Sequence, residues 1–110
     1  MSYKYSKGPT VQGDIAARPD IQRNTKINFE EDYIALEASG SAVLVVSGSN
    51  RVGIGTTSPD YTLDVAGDIG VNQYIYHNGD ANTWINFTDN RIRINAGGNN
   101  FIDCEDPGSA

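Results

Sequence analysis

The chain has 110 residues and carries 14 Asp and Glu against 8 Lys and Arg, a net charge of −6. That length suits one domain, and the acidic balance excludes a protein that wraps nucleic acid, whose phosphates would repel it. Eleven Ile and seven Val against only three Leu favour strands over helices, and abundant Asn, Asp and Gly supply tight turns between them.

Ile, Leu, Val and Phe together make up only a small share of the chain, close to the composition at which a chain stops burying enough surface to fold alone. They alternate along the chain, however, rather than scatter. The expectation is strands that complete their core against other copies of the chain.

Residues 1–26 hold Lys4, Lys7, Arg18, Arg23 and Lys26 against Asp14 and Asp20, while the rest of the chain is strongly acidic. No periodicity is sustained there. The segment reads as an extended N-terminal arm, with one helical turn at 14–18 stopped by Pro19. Its cations are either simply solvated or face an acidic protein partner.

In residues 27–50, Ile34, Leu36 and Ala38 fall on one strand face and Tyr33, Ala35 and Glu37 on the other. Ser39-Gly40-Ser41 turns the chain into a second strand at 43–46, a hairpin signal. In residues 51–73, Tyr61, Leu63 and Val65 share one face, and Ile69 and Val71 again lie two apart. The expectation is short connector strands. In residues 74–106, Asn78-Gly79-Asp80 separates two strands, Arg91 to Ala96 alternates, and Gly97-Gly98 turns into 101–104. Residues 107–110 read as a linker or tail.

Residues 27–46 slide along the chain onto 85–104 without a gap. Ile27, Asn28, Phe29, Ile34, Ala38 and Gly40 meet Ile85, Asn86, Phe87, Ile92, Ala96 and Gly98. This predicts two copies of one structural unit, each lending its neighbour a face to bury.

Chemistry-bearing patterns are sparse. Gly53 and Gly55, in VGIGTTSP, suggest a phosphate loop, but no lysine follows and the chain runs on into a strand. Those glycines, with Gly67, Gly97 and Gly98, instead suit backbone crowding or bending. His77 has no second His or paired Cys and reads as a polar strand-end residue. Glu30, Glu31 and Asp32, and the spaced Asp60, Asp64 and Asp68, read as hydrophilic turns rather than a glycosidase pair or a calcium loop. Tyr74, Tyr76 and Trp84 pack across strands or, as the alternative, stack on a sugar. No enzyme and no cofactor are expected.

Cys104 stands alone, so no disulfide forms within one chain. No apolar run approaches the ~20 residues of a membrane span, and MSYKYSKG lacks a signal peptide's apolar stretch. Synthesis in a reducing cytosol is expected, with no membrane partner.

Residues 50–80, NRVGIGTTSPDYTLDVAGDIGVNQYIYHNGD, resemble a segment of bacteriophage tail-fibre and related virion structural proteins, nearest to those of phages infecting marine cyanobacteria. VGIGTTSP followed by an L-x-V-x-G strand is the specific part. The W-I-x-F, RIRI and AGG pattern that follows, and the opening MSYKYSKGPTVQGDI, are similar too. The resemblance implies an elongated, intertwined all-β homotrimer, a triple β-helix or β-prism-like shaft, made in the bacterial cytoplasm and assembled into the virion. The arm at 1–26 would then attach to other virion proteins. Ile34, Leu36, Ile54, Leu63, Val65, Ile92 and Ile94 are the expected trimer core, and the five glycines allow close chain approach. The expected function is attachment arm and shaft of a fibre; the alternative is a module binding host-surface glycan through Trp84, Tyr74 and Tyr76.

Overall fold

The computed structural model describes residues 13–16, 19, 22 and 24–108. Every regular element among them is a strand, so the chain is all-β. It divides into two units, residues 1–68 and 69–110.

The first unit is one six-stranded sheet in chain order: β1 (Ile15–Ala16), β2 (Lys26–Glu30), β3 (Tyr33–Ala38), β4 (Ser41–Ser47), β5 (Arg51–Ile54) and β6 (Leu63–Val65). Strands β1 to β5 pair antiparallel, with short turns joining β2 through to β5. β6 instead runs parallel to β5, which requires the chain to cross back over the sheet. Residues 55–62 make that crossing. The second unit is a four-stranded antiparallel meander: β7 (Tyr74–His77), β8 (Asp80–Thr88), β9 (Arg91–Ala96) and β10 (Asn99–Glu105).

The arm contributes more than expected. In place of a helical turn at 14–18, Ile15 and Ala16 form a strand against Ile27 and Lys26. The Asp14 carboxylate spends its hydrogen bonds across the sheet, on Lys26 Nζ and the Phe29 amide, rather than capping a turn. Residues 1–12, 17, 18, 20, 21 and 23 lie outside the described residues, and with them the cations Lys4, Lys7, Arg18 and Arg23 and the attachment role; so do residues 109 and 110 of the expected tail.

The connector also differs. Val52, Gly53 and Ile54 belong to β5 and extend the first sheet. Tyr61 stands before β6 in solvent, and Ile69 and Val71 form no strand. Those two residues line a shallow apolar recess with Ile75 and Phe87 instead.

The offset that carries residue 27 onto 85 also relates β3 to β9 and β4 to β10, bound for bound. It relates the turns as well. Asp32 and Asn90 both sit at positive φ, 55° and 59°, the conformation their short polar side chains tolerate best among non-glycine residues. The Gly40 amide donates to the Asn24 carbonyl at 2.8 Å, as the Gly98 amide donates to that of Asn82 at 3.0 Å. The Thr25 hydroxyl accepts from the Ser39 amide as the Thr83 hydroxyl accepts from that of Gly97. The recurrence thus reaches individual hydrogen bonds.

Candidate functional site

Residues opposite one another in a ladder point to the same face. In the first sheet this aligns Ile15 with Ile27, Ile27 with Leu36, Leu36 with Leu44 and Leu44 with Ile54. A parallel row aligns Phe29, Ile34, Val46, Val52 and Leu63, and Val65 closes the first row beside Ile54. Across these two rows one face of the sheet is therefore apolar. It is also open: Ile34 is 39% exposed and Leu36 44%.

The burial lies on the other face. Ala35 and Val45, at 1% and 0% exposure, are the buried apolar core among the described residues. Buried Gly53 and Pro59 join them as the crossing segment folds over this side. A Cβ on Gly53 would come 2.4 Å from the Thr56 carbonyl oxygen, and Arg51 Nη1 donates to the Pro59 carbonyl at 3.1 Å. VGIGTTSP is thus a strand and a loop that folds back on it. Its missing methyl group is required by a contact within the chain.

The second sheet repeats the pattern. Ile75, Ile85, Ile94 and Ile102 make one row, and Phe87, Ile92 and Cys104 another. Ile92 is 46% exposed, and Ile75 and Ile102 are similarly open. All seven expected core residues, Ile34, Leu36, Ile54, Leu63, Val65, Ile92 and Ile94, fall on these two apolar faces. Sequence reasoning did not select Ile15, Ile27, Phe29, Leu44, Val46 and Val52, or Ile75, Ile85, Phe87 and Ile102. The internal repeat would have found most of them, because most of these positions have an apolar counterpart in the other copy.

The opposite face of the second sheet is aromatic and polar. Tyr74 and Tyr76 stack with centroids 5.0 Å apart, and Trp84 meets Tyr74 edge-on at 5.3 Å. The Arg93 guanidinium stands 5.8 Å from the Trp84 ring centroid and donates through Nη2 to Asn86 Oδ1 at 2.7 Å. Asn86 is fully buried; the repeat pairs it with Asn28, but nothing in the sequence marks it as a buried position. Arg93 Nε is buried with no hydrogen-bond partner among the described residues. Trp84 is half-buried under these neighbours, which leaves Tyr76 the more open ring.

Along the same face Arg91 grips Asp103 with two bonds, of 2.8 and 2.7 Å. That fork holds the Asp103 carboxyl below its usual pKa and raises the guanidinium. In the first unit Lys26 likewise lowers the Asp14 carboxyl.

The other singled-out residues stay apart. His77 is exposed, with Nδ1 3.9 Å from Asp80. Asp64 accepts the Asp60 amide at 2.9 Å, a local turn bond. Gly97 and Gly98 take positive φ at the β9–β10 turn, and neither they nor Gly67 are crowded by backbone. A Cβ on Gly55 would lie 3.0 Å from the Ala66 carbonyl oxygen. Gly48, which sequence reasoning passed over, is crowded: its missing Cβ would meet Asp32 at 2.6 Å. Among the described residues no group of three or more His, Cys, Asp or Glu side chains gathers to hold a metal.

Comparison with protein-family models, with curated proteins and with solved structures gives no match. The geometry of the chain itself is what bears on function.

Proposed function

We propose that the chain is a non-enzymatic structural segment of a phage tail fibre or comparable virion appendage, working as a homotrimer. One observation carries the oligomeric part. Each sheet keeps an uncharged, apolar face open, while the fully buried apolar core among the described residues is only Ala35 and Val45. A chain so poorly buried lacks the hydrophobic term that offsets conformational entropy. Copies of the chain, present wherever it folds, are the occupants those faces fit. The VGIGTTSP resemblance supports the number three, the shaft role and the virion location. On this reading the arm at 1–26 attaches to other virion proteins.

Native mass spectrometry tests the assembly. The expected species has three times the 11.9 kDa chain mass; a folded single chain would overturn the reading. Antibodies against the chain should label appendages of intact particles by electron microscopy.

A second reading, a host-glycan contact, is favoured by the convergence of Tyr74, Tyr76 and Trp84 on one face beside Arg93. Aromatic faces stack on sugar rings, and the guanidinium supplies donors for their hydroxyls. A glycan array in which Tyr76→Ala and Trp84→Ala each abolish a hit supports it; an array without hits removes it.

A further inference from the structure

We infer that β10 of one copy pairs with β7 of the next, closing the second sheets of three copies into one ring. The inference rests on the trimer reading and specifies its seam.

Among the described residues, β7 and β10 are the two outer strands of the second sheet. Outer strands present unpaired amides and carbonyls, which a folded protein must cover, blunt or pair. Every residue of β10 is exposed. Its counterpart in the first unit, β4, is closed on that same side by β5, through Leu44 with Ile54 and Val46 with Val52. In the first unit, then, the equivalent edge carries a strand.

Strand direction selects which strand. The second sheet has four strands joined by three antiparallel pairings, so β10 runs opposite to β7. A three-fold rotation about an axis along the strands preserves direction. It sets β10 antiparallel to β7 of the next copy and turns the apolar face of every copy inward. Three four-stranded sheets then form a closed twelve-stranded wall with no free edge.

Chemistry agrees with direction. Ile75 of β7 would join Ile102 and Cys104 of β10 on the inner face. Outside, the Tyr74 and Tyr76 phenols would stand on the same side as Asp103 and Glu105, donors beside acceptors. Pairing β10 with another β10 would instead bring Asp103 and Glu105 of both copies onto one seam, where like charges repel.

Cross-linking reads the seam directly. Within one chain, β7 and β10 lie three strand spacings apart, roughly 14 Å, while a disulfide needs Cα atoms within about 7 Å. An Ile75→Cys chain can therefore join position 75 to the native Cys104 only between copies. Mild oxidation should yield a covalent species of three chains on a non-reducing denaturing gel, lost when Cys104→Ser is added. A second variant, Ile75→Cys with Ile102→Cys and Cys104→Ser, covers the neighbouring register. A native mass of three chains with no covalent trimer from either variant overturns the seam and leaves the trimer. A native mass of one chain overturns both.

Discussion

Val43 and Phe101, equivalent positions in the two copies of the internal repeat, are each the extra residue of a β-bulge. Leu36 pairs with Leu44 and Glu37 with Ala42, so Val43 is skipped; Ile94 pairs with Ile102 and Asn95 with Asn100, so Phe101 is skipped. A bulge bends and twists its strand locally. The same bulge at the same place in both units sets the same local bend beside equivalent rows of apolar residues.

That equivalence yields a sharp test. On a lone chain, Ile34→Ala and Ile92→Ala alter residues that are 39% and 46% exposed, and surface changes stay within about 0.5 kcal/mol. If the faces are buried between copies, each substitution costs about 2–5 kcal/mol per chain. Denaturant unfolding at fixed protein concentration separates the two. Ile34→Asp and Ile92→Asp should go further and dissociate the assembly, because each copy would bring an unpaired charge into an apolar seam.

Much of this was legible in the sequence, for definite reasons. Alternation in Ile34, Leu36, Ile92 and Ile94 fixes which side chains share a face, since strand periodicity is a local property. The repeat offset carries strand bounds and turns together. Partner choice is not local. Nothing in Leu63-Asp64-Val65 says that it pairs parallel with β5, and nothing in Ile15-Ala16 says that it joins β2. Asn86 reads as a polar strand residue; its partners in burial, the Arg93 guanidinium that donates to its Oδ1 and the Gln73 carbonyl that accepts from its Nδ2, become visible only across the sheet. The glycine motif was legible as backbone crowding, but the crowding partner, Thr56, lies three positions on and is visible only once the loop folds back.

Gly53→Ala places a methyl group against a backbone carbonyl that cannot move aside without shifting the crossing segment. The expected loss is about 1–3 kcal/mol, the range for overpacking a filled site. Gly70→Ala is the control: nothing lies within 4 Å of a Cβ there, so its effect should stay within about 0.5 kcal/mol. Equal thermal shifts for the two variants would contradict the close contact.

Asn86→Ala removes the acceptor of a 2.7 Å bond from Arg93, whose Nε already lacks a partner among the described residues. Leaving a further, part-buried donor without its acceptor costs up to about 1–3 kcal/mol. Adding Arg93→Met to Asn86→Ala should recover part of that loss, because the stranded cation is gone. A double variant as unstable as the sum of the singles would mean that the two side chains act independently.

The Arg91–Asp103 fork makes an acid-side prediction. Asp103 is depressed in the folded chain, first by its hydrogen bonds to Arg91 and then by the charge of Arg91. A carboxyl with a lowered folded pKa binds fewer protons than in the unfolded chain. It therefore contributes stability above its unfolded pKa, about 3.9, and that contribution disappears as pH falls through the lower folded value. The Arg91 shift is upward and lies far above this window, so it does not oppose the trend. Asp103→Asn should accordingly lower the melting temperature at pH 7 and leave it close to that of the parent at pH 2. Both groups are solvent-accessible, so salt should shrink the neutral-pH difference by screening. A gap between parent and variant that persists unchanged from pH 7 to pH 2 would show that Asp103 acts through packing rather than charge.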